Sequence, residues 1–128
     1  MFYNKKNVKK DMNRIKKNFN SYRYAIRGIR MAFRYEPNMS YHLVAGIAVL
    51  ITNYLLGVSR TEWLITLILI GLAWMSEVFN TAIEKLADRV STDHDPLIGN
   101  AKDLAAGAVV IICFFAVICA LIIYIPYL

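Results

Sequence analysis

The sequence predicts an all-α membrane protein, with an N-terminal amphipathic surface helix and three transmembrane helices in a single domain over residues 1–128. Two observations lead to this prediction: 58% of the residues are hydrophobic, and they are concentrated in three long runs. The runs cover about 41–58, 63–82 and 104–125. Each run approaches the roughly 20 residues that a helix needs to cross about 30 Å of hydrocarbon. A chain of this length fits one compact domain.

The first 36 residues predict a basic amphipathic helix. Their apolar residues recur at alternating spacings of four and three, which places them in one stripe along a helix. These apolar positions are Val8, Met12, Ile15, Phe19, Tyr22, Ile26, Ile29 and Phe33. Such a helix lies on a bilayer with its cations on anionic headgroups. A heptad coiled coil is a competing explanation of the spacing, which the aromatic content disfavours. Although the net charge is +6, the pattern argues against nucleic-acid binding.

The charges also predict the orientation of the chain in the membrane. Of the 15 Lys and Arg residues, 11 precede Met39, and only Arg60 lies between the first two apolar runs. The positive-inside rule therefore places the N-terminus and the connection at about 83–103 in the cytoplasm. Pro37 disfavours helical geometry at Glu36, so the surface helix is expected to end there.

Four polar residues share one face of the helix that continues the second apolar run. At 100° per residue, Glu77, Glu84 and Asp88 lie within about 40° of one another, and Asn80 lies about 40° beyond them. An acid attached to such a segment costs roughly 2.5–3.5 kcal/mol at the bilayer centre and less near the interface. This face therefore predicts a site at the membrane boundary, on a helix that we expect to continue to about Val90.

Two further regions are expected to lie at the same depth. Glu36 is a candidate fourth carboxylate, although a solvated helix end explains it as well. Lys102 and Asp103 are expected at the start of the third transmembrane helix, after turn residues at Gly99 and Asn100. Free backbone N–H groups and the helix dipole favour an anion at such a start.

Carboxylates, an amide and a lysine in this arrangement suit phosphate and Mg²⁺ chemistry. Mg²⁺ takes oxygen ligands that it shares with substrate phosphates. Phosphoryl transfer needs positioning, charge neutralisation and a group that accepts the proton of the nucleophile. The sequence has neither a phosphate-binding Gly-x-x-x-x-Gly-Lys-Ser/Thr loop nor the protein-kinase signatures. A kinase here would be of a different design and would act on a membrane-dissolved substrate.

The motifs resemble those of the prokaryotic diacylglycerol kinase family. The resemblance is carried by Glu77-Val-Phe-Asn80-Thr-Ala-Ile-Glu84-Lys-Leu-Ala-Asp88 and by Ala101-Lys102-Asp103-Leu-Ala-Ala-Gly-Ala-Val109. Upstream, Tyr24-Ala-x-x-Gly28 and Glu36-x-Asn38-x-x-x-His42-Leu43 also match. The resemblance covers about four-fifths of the chain. It implies a homotrimer whose active sites, shared between subunits near the cytoplasmic face, transfer phosphate from ATP to a lipid alcohol.

The resemblance also implies a role for each matching residue. Glu77 would be the general base on the lipid hydroxyl, Asn80 would orient that region, and Glu84 and Glu36 would hold the Mg²⁺ of MgATP. The remaining residues would contact the nucleotide: Tyr24, Asp88, Lys102 and Asp103. The chain departs from the family pattern over residues 96–101, which lack the basic residue that commonly precedes Ala-Lys-Asp.

The acceptor is expected to be undecaprenol, with diacylglycerol as the alternative. The Glu-x-Asn-x-x-x-His-Leu segment and the Ala-Ala-Gly-Ala-Val segment resemble the Gram-positive branch of the family, whose typical substrate is undecaprenol. Two other classes of function stay open from the residues themselves. One is a small oligomeric cation or proton channel lined by Glu77 and Asn80. The other is a non-catalytic membrane anchor, which leaves the acidic face unexplained.

Overall fold

The computed structural model of the chain describes residues 4–91 and 93–128, which form helices and no strand. In chain order these are α1 (Lys5–Tyr35), α2 (Pro37–Leu56), α3 (Arg60–Val90) and α4 (Pro96–Tyr124), followed by a single 3-10 turn at Ile125–Tyr127. The all-α class predicted from the sequence is therefore confirmed. The chain divides into two units, Met1–Tyr35 and Glu36–Leu128.

The first unit is the single helix α1. Most of its apolar stripe is exposed, including Ile15 at 67% and Phe19 at 75%. The helix ends at Tyr35, directly before the position predicted from Pro37. The predicted helix is thus confirmed, whereas its placement on a bilayer stays a prediction.

In the second unit, a tight turn joins α2 to α3. Gly57 adopts the left-handed conformation, with φ 63°, and its N–H closes the end of α2 on the carbonyls of Asn53 and Tyr54. This backbone conformation suits glycine because it has no Cβ. Ser59 then caps α3 in a reciprocal capping box with Glu62. The two helices consequently run antiparallel from a turn of only three residues.

Polar side chains tie the three helices together near that turn. Asn53 of α2 is fully buried; its Nδ2 donates to Thr66 Oγ1 of α3 at 2.8 Å. The Tyr124 hydroxyl of α4 donates to Asn53 Oδ1 at 2.5 Å. Hydrogen bonds of this kind between apolar helices fix their relative registers.

The start of α4 differs from the prediction. The helix begins at Pro96 rather than near Lys102, so Gly99 and Asn100 are helical instead of forming a turn. The cause is the Asp95 side chain, whose Oδ1 accepts from Leu97 N and Ile98 N. Proline at the first helical position has a preset φ and no N–H to leave unpaired. The prediction that Lys102 and Asp103 stand at the helix start is therefore wrong, because both lie about two turns into the helix.

Within the described part of the chain, three helices are long and apolar enough to cross a membrane. They are Pro37–Leu56, Arg60–Val90 and the continuous segment Pro96–Tyr127. Few of their apolar side chains are buried within the unit, and large ones such as Ile68, Phe115 and Ile122 are exposed. Apolar surface of this extent is stable against lipid or against other apolar helices. The second unit is therefore built as a membrane protein.

Candidate active site

The polar face of α3, which we define as Glu77, Asn80, Glu84 and Asp88, passes from buried to exposed along the helix. Glu77 is 4% exposed and Asn80 is 5% exposed. Glu84 is half-buried and Asp88 is exposed. The acid nearest the centre of the unit is thus the most deeply buried, as its position after the apolar run of α3 requires.

Glu77 lies beside a histidine of the neighbouring helix. The distance from its Oε2 to Nε2 of His42 on α2 is 3.6 Å. The indole Nε1 of Trp74, one turn before Glu77, donates to the backbone carbonyl of His42 at 3.1 Å. The sequence reasoning assigned His42 no role. Its signals were its place in the Glu-x-Asn-x-x-x-His-Leu segment and its position immediately before an apolar run.

Asn80 and Glu84 form a second pair one turn further along α3. Asn80 Nδ2 donates to Glu84 Oε1 at 3.3 Å. The Asn80 Oδ1 atom is buried and has no hydrogen-bond partner in the described part of the chain. A buried acceptor without a partner is costly, and such atoms are rare in folded proteins. The oxygen is therefore available to a donor or a cation from outside the chain.

Glu36 contacts the same stretch of α3. It precedes α2 in an extended conformation, and its side chain does not cap that helix. Its Oε1 instead lies 3.2 Å from Nζ of Lys85, the residue after Glu84. Only 22% of the Glu36 side chain is exposed. The structure thus brings Glu36 to α3, as the sequence suggested, through a lysine that the sequence reasoning did not single out.

Of the residues predicted to contact the nucleotide, two contact each other within the second unit. Lys102 of α4 contacts the Asp88 carboxylate of α3. Asp103 is exposed and forms no ion pair or side-chain hydrogen bond within residues 4–91 and 93–128. Tyr24 lies on α1, in the other unit, and is 67% exposed.

The oxygen donors fit a magnesium ion that arrives with a nucleotide. Among the described residues, no three His, Cys, Asp or Glu side chains cluster as a metal cage. Mg²⁺ does not need one, because it retains waters and uses one or two carboxylates together with substrate phosphates. Glu84, Glu36 and the unpartnered Asn80 Oδ1 supply oxygens of this type.

A mainly apolar cavity of about 300 Å³ lies between α2, α3 and α4. Its lining on α2 runs from His42 to Val49, so it begins at the histidine that faces Glu77. Small residues leave this space open, among them Gly46, Ala73 and Ala116. A hydrocarbon chain therefore has a space of matching polarity that reaches His42, the residue beside the buried carboxylate.

These features define a multi-span helical membrane protein with a buried acidic site at one end of its helices. The sequence profile of the prokaryotic diacylglycerol kinase family matches residues 23–124. The chain belongs to this family, which confirms the resemblance seen in its motifs.

Characterised relatives agree with this assignment. The chain is 40% identical to undecaprenol kinase of Bacillus subtilis over 89% of its own length and 93% of that enzyme. It is 34% identical to diacylglycerol kinase of Pseudomonas aeruginosa over 73% of this chain and 76% of the relative. It is 30% identical to diacylglycerol kinase of Escherichia coli K12 over 74% of this chain and 78% of that enzyme. The chain is accordingly a membrane lipid kinase with ATP as co-substrate; the channel alternative receives no support.

Proposed function

We propose that this chain transfers the γ-phosphate of ATP to undecaprenol, at a site built around Glu77. The observation that carries the proposal is a buried carboxylate on α3, next to His42, which itself lines an apolar cavity suited to a lipid chain. Undecaprenol is favoured as acceptor by the 40% identity to an undecaprenol kinase over nearly the whole chain. Diacylglycerol is the second candidate, because other relatives are diacylglycerol kinases over about three-quarters of the chain.

In this proposal Glu77 is the general base. Its carboxylate accepts the proton of the lipid hydroxyl while that oxygen forms a bond to the γ-phosphorus of ATP. The bond from the γ-phosphorus to the bridging oxygen breaks, and ADP leaves. Positioning and charge neutralisation supply most of the rate in such a transfer. Burial of Glu77 among apolar helices supports the role, because a lipid hydroxyl reaches this depth from within the bilayer.

Asn80 orients the acceptor region, and two carboxylates hold the metal. Asn80 is suited to its role because its Oδ1 is buried and has no partner in the described part of the chain. Glu84 and Glu36 would hold Mg²⁺, which when bound neutralises charge on the phosphates. Lys85 keeps the Glu36 carboxylate beside this part of α3.

The nucleotide contacts are assigned to Asp88, Lys102, Asp103 and Tyr24. Lys102 would neutralise phosphate charge. Its contact with Asp88, the last residue of the polar face, supports this role because it holds the ammonium group beside that face. The segment over residues 96–101 offers no further cation. Lys102 is consequently the main cationic contact that this loop and helix supply.

The assembly that we propose is a homotrimer with its N-terminus and active sites in the cytoplasm. The excess of Lys and Arg before Met39 supports the orientation. Exposed apolar surface on all three long helices leaves room for contacts between subunits as well as with lipid. The basic helix α1 would lie on anionic headgroups.

The test is transfer of labelled phosphate from ATP to undecaprenol and to diacylglycerol, offered separately to purified protein with Mg²⁺. Strong labelling of undecaprenol is expected. A preference for diacylglycerol would keep the mechanism and change the acceptor, whereas no labelling of either lipid by folded protein would refute the proposal.

The base assignment is tested by Glu77→Gln, with Glu62→Gln as a matched control on the same helix. Glu62 lies near the 57–59 turn and bonds to Ser59 and Tyr127. Removing a general base costs roughly 10²–10⁴-fold in rate. We expect that loss for Glu77→Gln only, with unchanged assembly of both variants. An active Glu77→Gln enzyme would exclude Glu77 as the base.

A further inference from the structure

One ionisable residue in contact with Glu77 has no role in the function described so far. His42 Nε2 lies 3.6 Å from Glu77 Oε2, and both side chains are largely shielded from solvent, at 18% and 5% exposure. An ionisable side chain at this depth is costly unless a polar partner faces it. His42 and Glu77 are therefore each other's polar neighbour among mainly apolar side chains.

The backbone that carries His42 is itself held in place by α3. Trp74 Nε1 donates to the His42 carbonyl at 3.1 Å, and Trp74 precedes Glu77 by three residues on the same helix. The close approach of the indole depends on Gly46, since a Cβ there would lie 3.3 Å from Trp74 Cζ2. The turn of α3 that presents the carboxylate thus also anchors the turn of α2 that presents the imidazole.

We propose that His42 is a positioning residue for Glu77 in the phosphoryl transfer. In the reacting complex, a hydrogen bond from the imidazole to one carboxylate oxygen would fix the rotation of the group and leave the other oxygen to face the lipid hydroxyl. Contacts of this kind are often long without substrate and shorten in the reacting complex. The hydroxyl proton passes to Glu77, and His42 neither gains nor loses a proton. This inference rests on the proposed function of Glu77.

The variants that test the inference are His42→Ala and His42→Gln, with His94→Gln as the matched control. His94 is the other histidine of the chain and is exposed in the loop before α4. A small misplacement of a reacting group can cost about 100-fold. For His42→Ala we expect a kcat lower by about 10- to 100-fold, with the KM for ATP unchanged within about twofold. His42→Gln should recover part of the loss, because its amide can donate to Glu77.

Thermal stability and a double variant separate positioning from packing. If His42 acts through Glu77, the double variant His42→Ala with Glu77→Gln should lose little more activity than Glu77→Gln alone. Additive losses would overturn the inference. So would a kcat of His42→Ala that equals wild type once corrected for the folded fraction. In both cases an inactive Glu77→Gln leaves the proposed function standing. If wild-type protein transferred phosphate to neither lipid, both the proposed function and the inference about His42 would be refuted.

Discussion

The Tyr124 hydroxyl donates a 2.5 Å hydrogen bond to Oδ1 of Asn53, 71 residues earlier in the chain. The same amide donates through Nδ2 to Thr66, so one side chain connects all three membrane-crossing helices. Asn53 has no exposed surface, and its neighbours on α2 are mainly apolar. This connection lies near the 57–59 turn, away from the polar face, and its function is to fix the packing of the helices.

Replacement of Asn53 by Leu is expected to destabilise the protein while leaving its chemistry intact. The change removes the acceptor of the Tyr124 hydroxyl and the bond that Thr66 accepts from α2, although Thr66 still donates to the carbonyls of its own helix. Hydrogen bonds between membrane helices contribute about 0.6–1.7 kcal/mol each. Unfolding in detergent should show this loss, with kcat per folded molecule close to wild type. Thr52→Ala is the matched control, because Thr52 bonds only to the Ala48 carbonyl of its own helix. Equal stability of the two variants would contradict the connecting role of Asn53.

The local parts of this architecture could be predicted from sequence, since they depend on local signals. Pro37 marks the end of α1, and good helical sequence after Glu84 carries α3 to Val90. The early start of α4 was not predicted, although Asp95-Pro96 carries a local signal for it: a helix cap followed by a first-position proline. Helical spacing predicted the shared face of Glu77 and Asn80.

Contacts between helices could not be predicted in this way. The approach of His42 to Glu77 depends on how α2 packs against α3, and the pairing of Glu36 with Lys85 depends on an extended residue before α2. No spacing within one helix encodes either distance. The roles of Tyr24 and Asp103 in nucleotide binding stay predictions. Tyr24 belongs to a separate unit, and Asp103 has no partner in the described residues.

Removal of the cap at Asp95 is expected to weaken nucleotide binding through Lys102. Asp95 satisfies two backbone N–H groups at the start of α4, and loss of such a cap costs about 1 kcal/mol. Fraying of the first turn would loosen the segment that presents Lys102 to Asp88. We therefore expect Asp95→Ala to raise the KM for ATP, with a smaller effect on the KM for the lipid.

The control for this prediction is Asp93→Ala, two residues earlier in the same exposed loop. Within residues 4–91 and 93–128, the hydrogen bond of Asp93 goes to its backbone carbonyl, from Ser91, and its side chain forms none. Steady-state kinetics with ATP varied at saturating lipid would measure both variants. A KM that rises equally in the two would point to the negative charge of the loop rather than to the cap.

Gly46 is expected to tolerate a side chain less well than Gly71. A Cβ at Gly46 would lie 3.3 Å from both Ile70 Cγ2 and Trp74 Cζ2, whereas a Cβ at Gly71 meets nothing within 4 Å. Overpacking costs typically 1–3 kcal/mol, and Gly→Ala in an open helical position gains up to about 1 kcal/mol of helix propensity. Gly46→Ala should thus lower the unfolding temperature in detergent, and Gly71→Ala should leave it unchanged or raise it.

The same pair of variants should also differ in turnover. Displacement of the Trp74 indole by a methyl group at Gly46 would weaken its bond to the His42 carbonyl, and so disturb the imidazole beside Glu77. We expect the kcat of phosphate transfer to the lipid to fall in Gly46→Ala, even at temperatures where the protein is fully folded. Wild-type turnover by folded Gly46→Ala protein would mean that α2 can shift against α3 without moving His42, and that the indole serves packing alone.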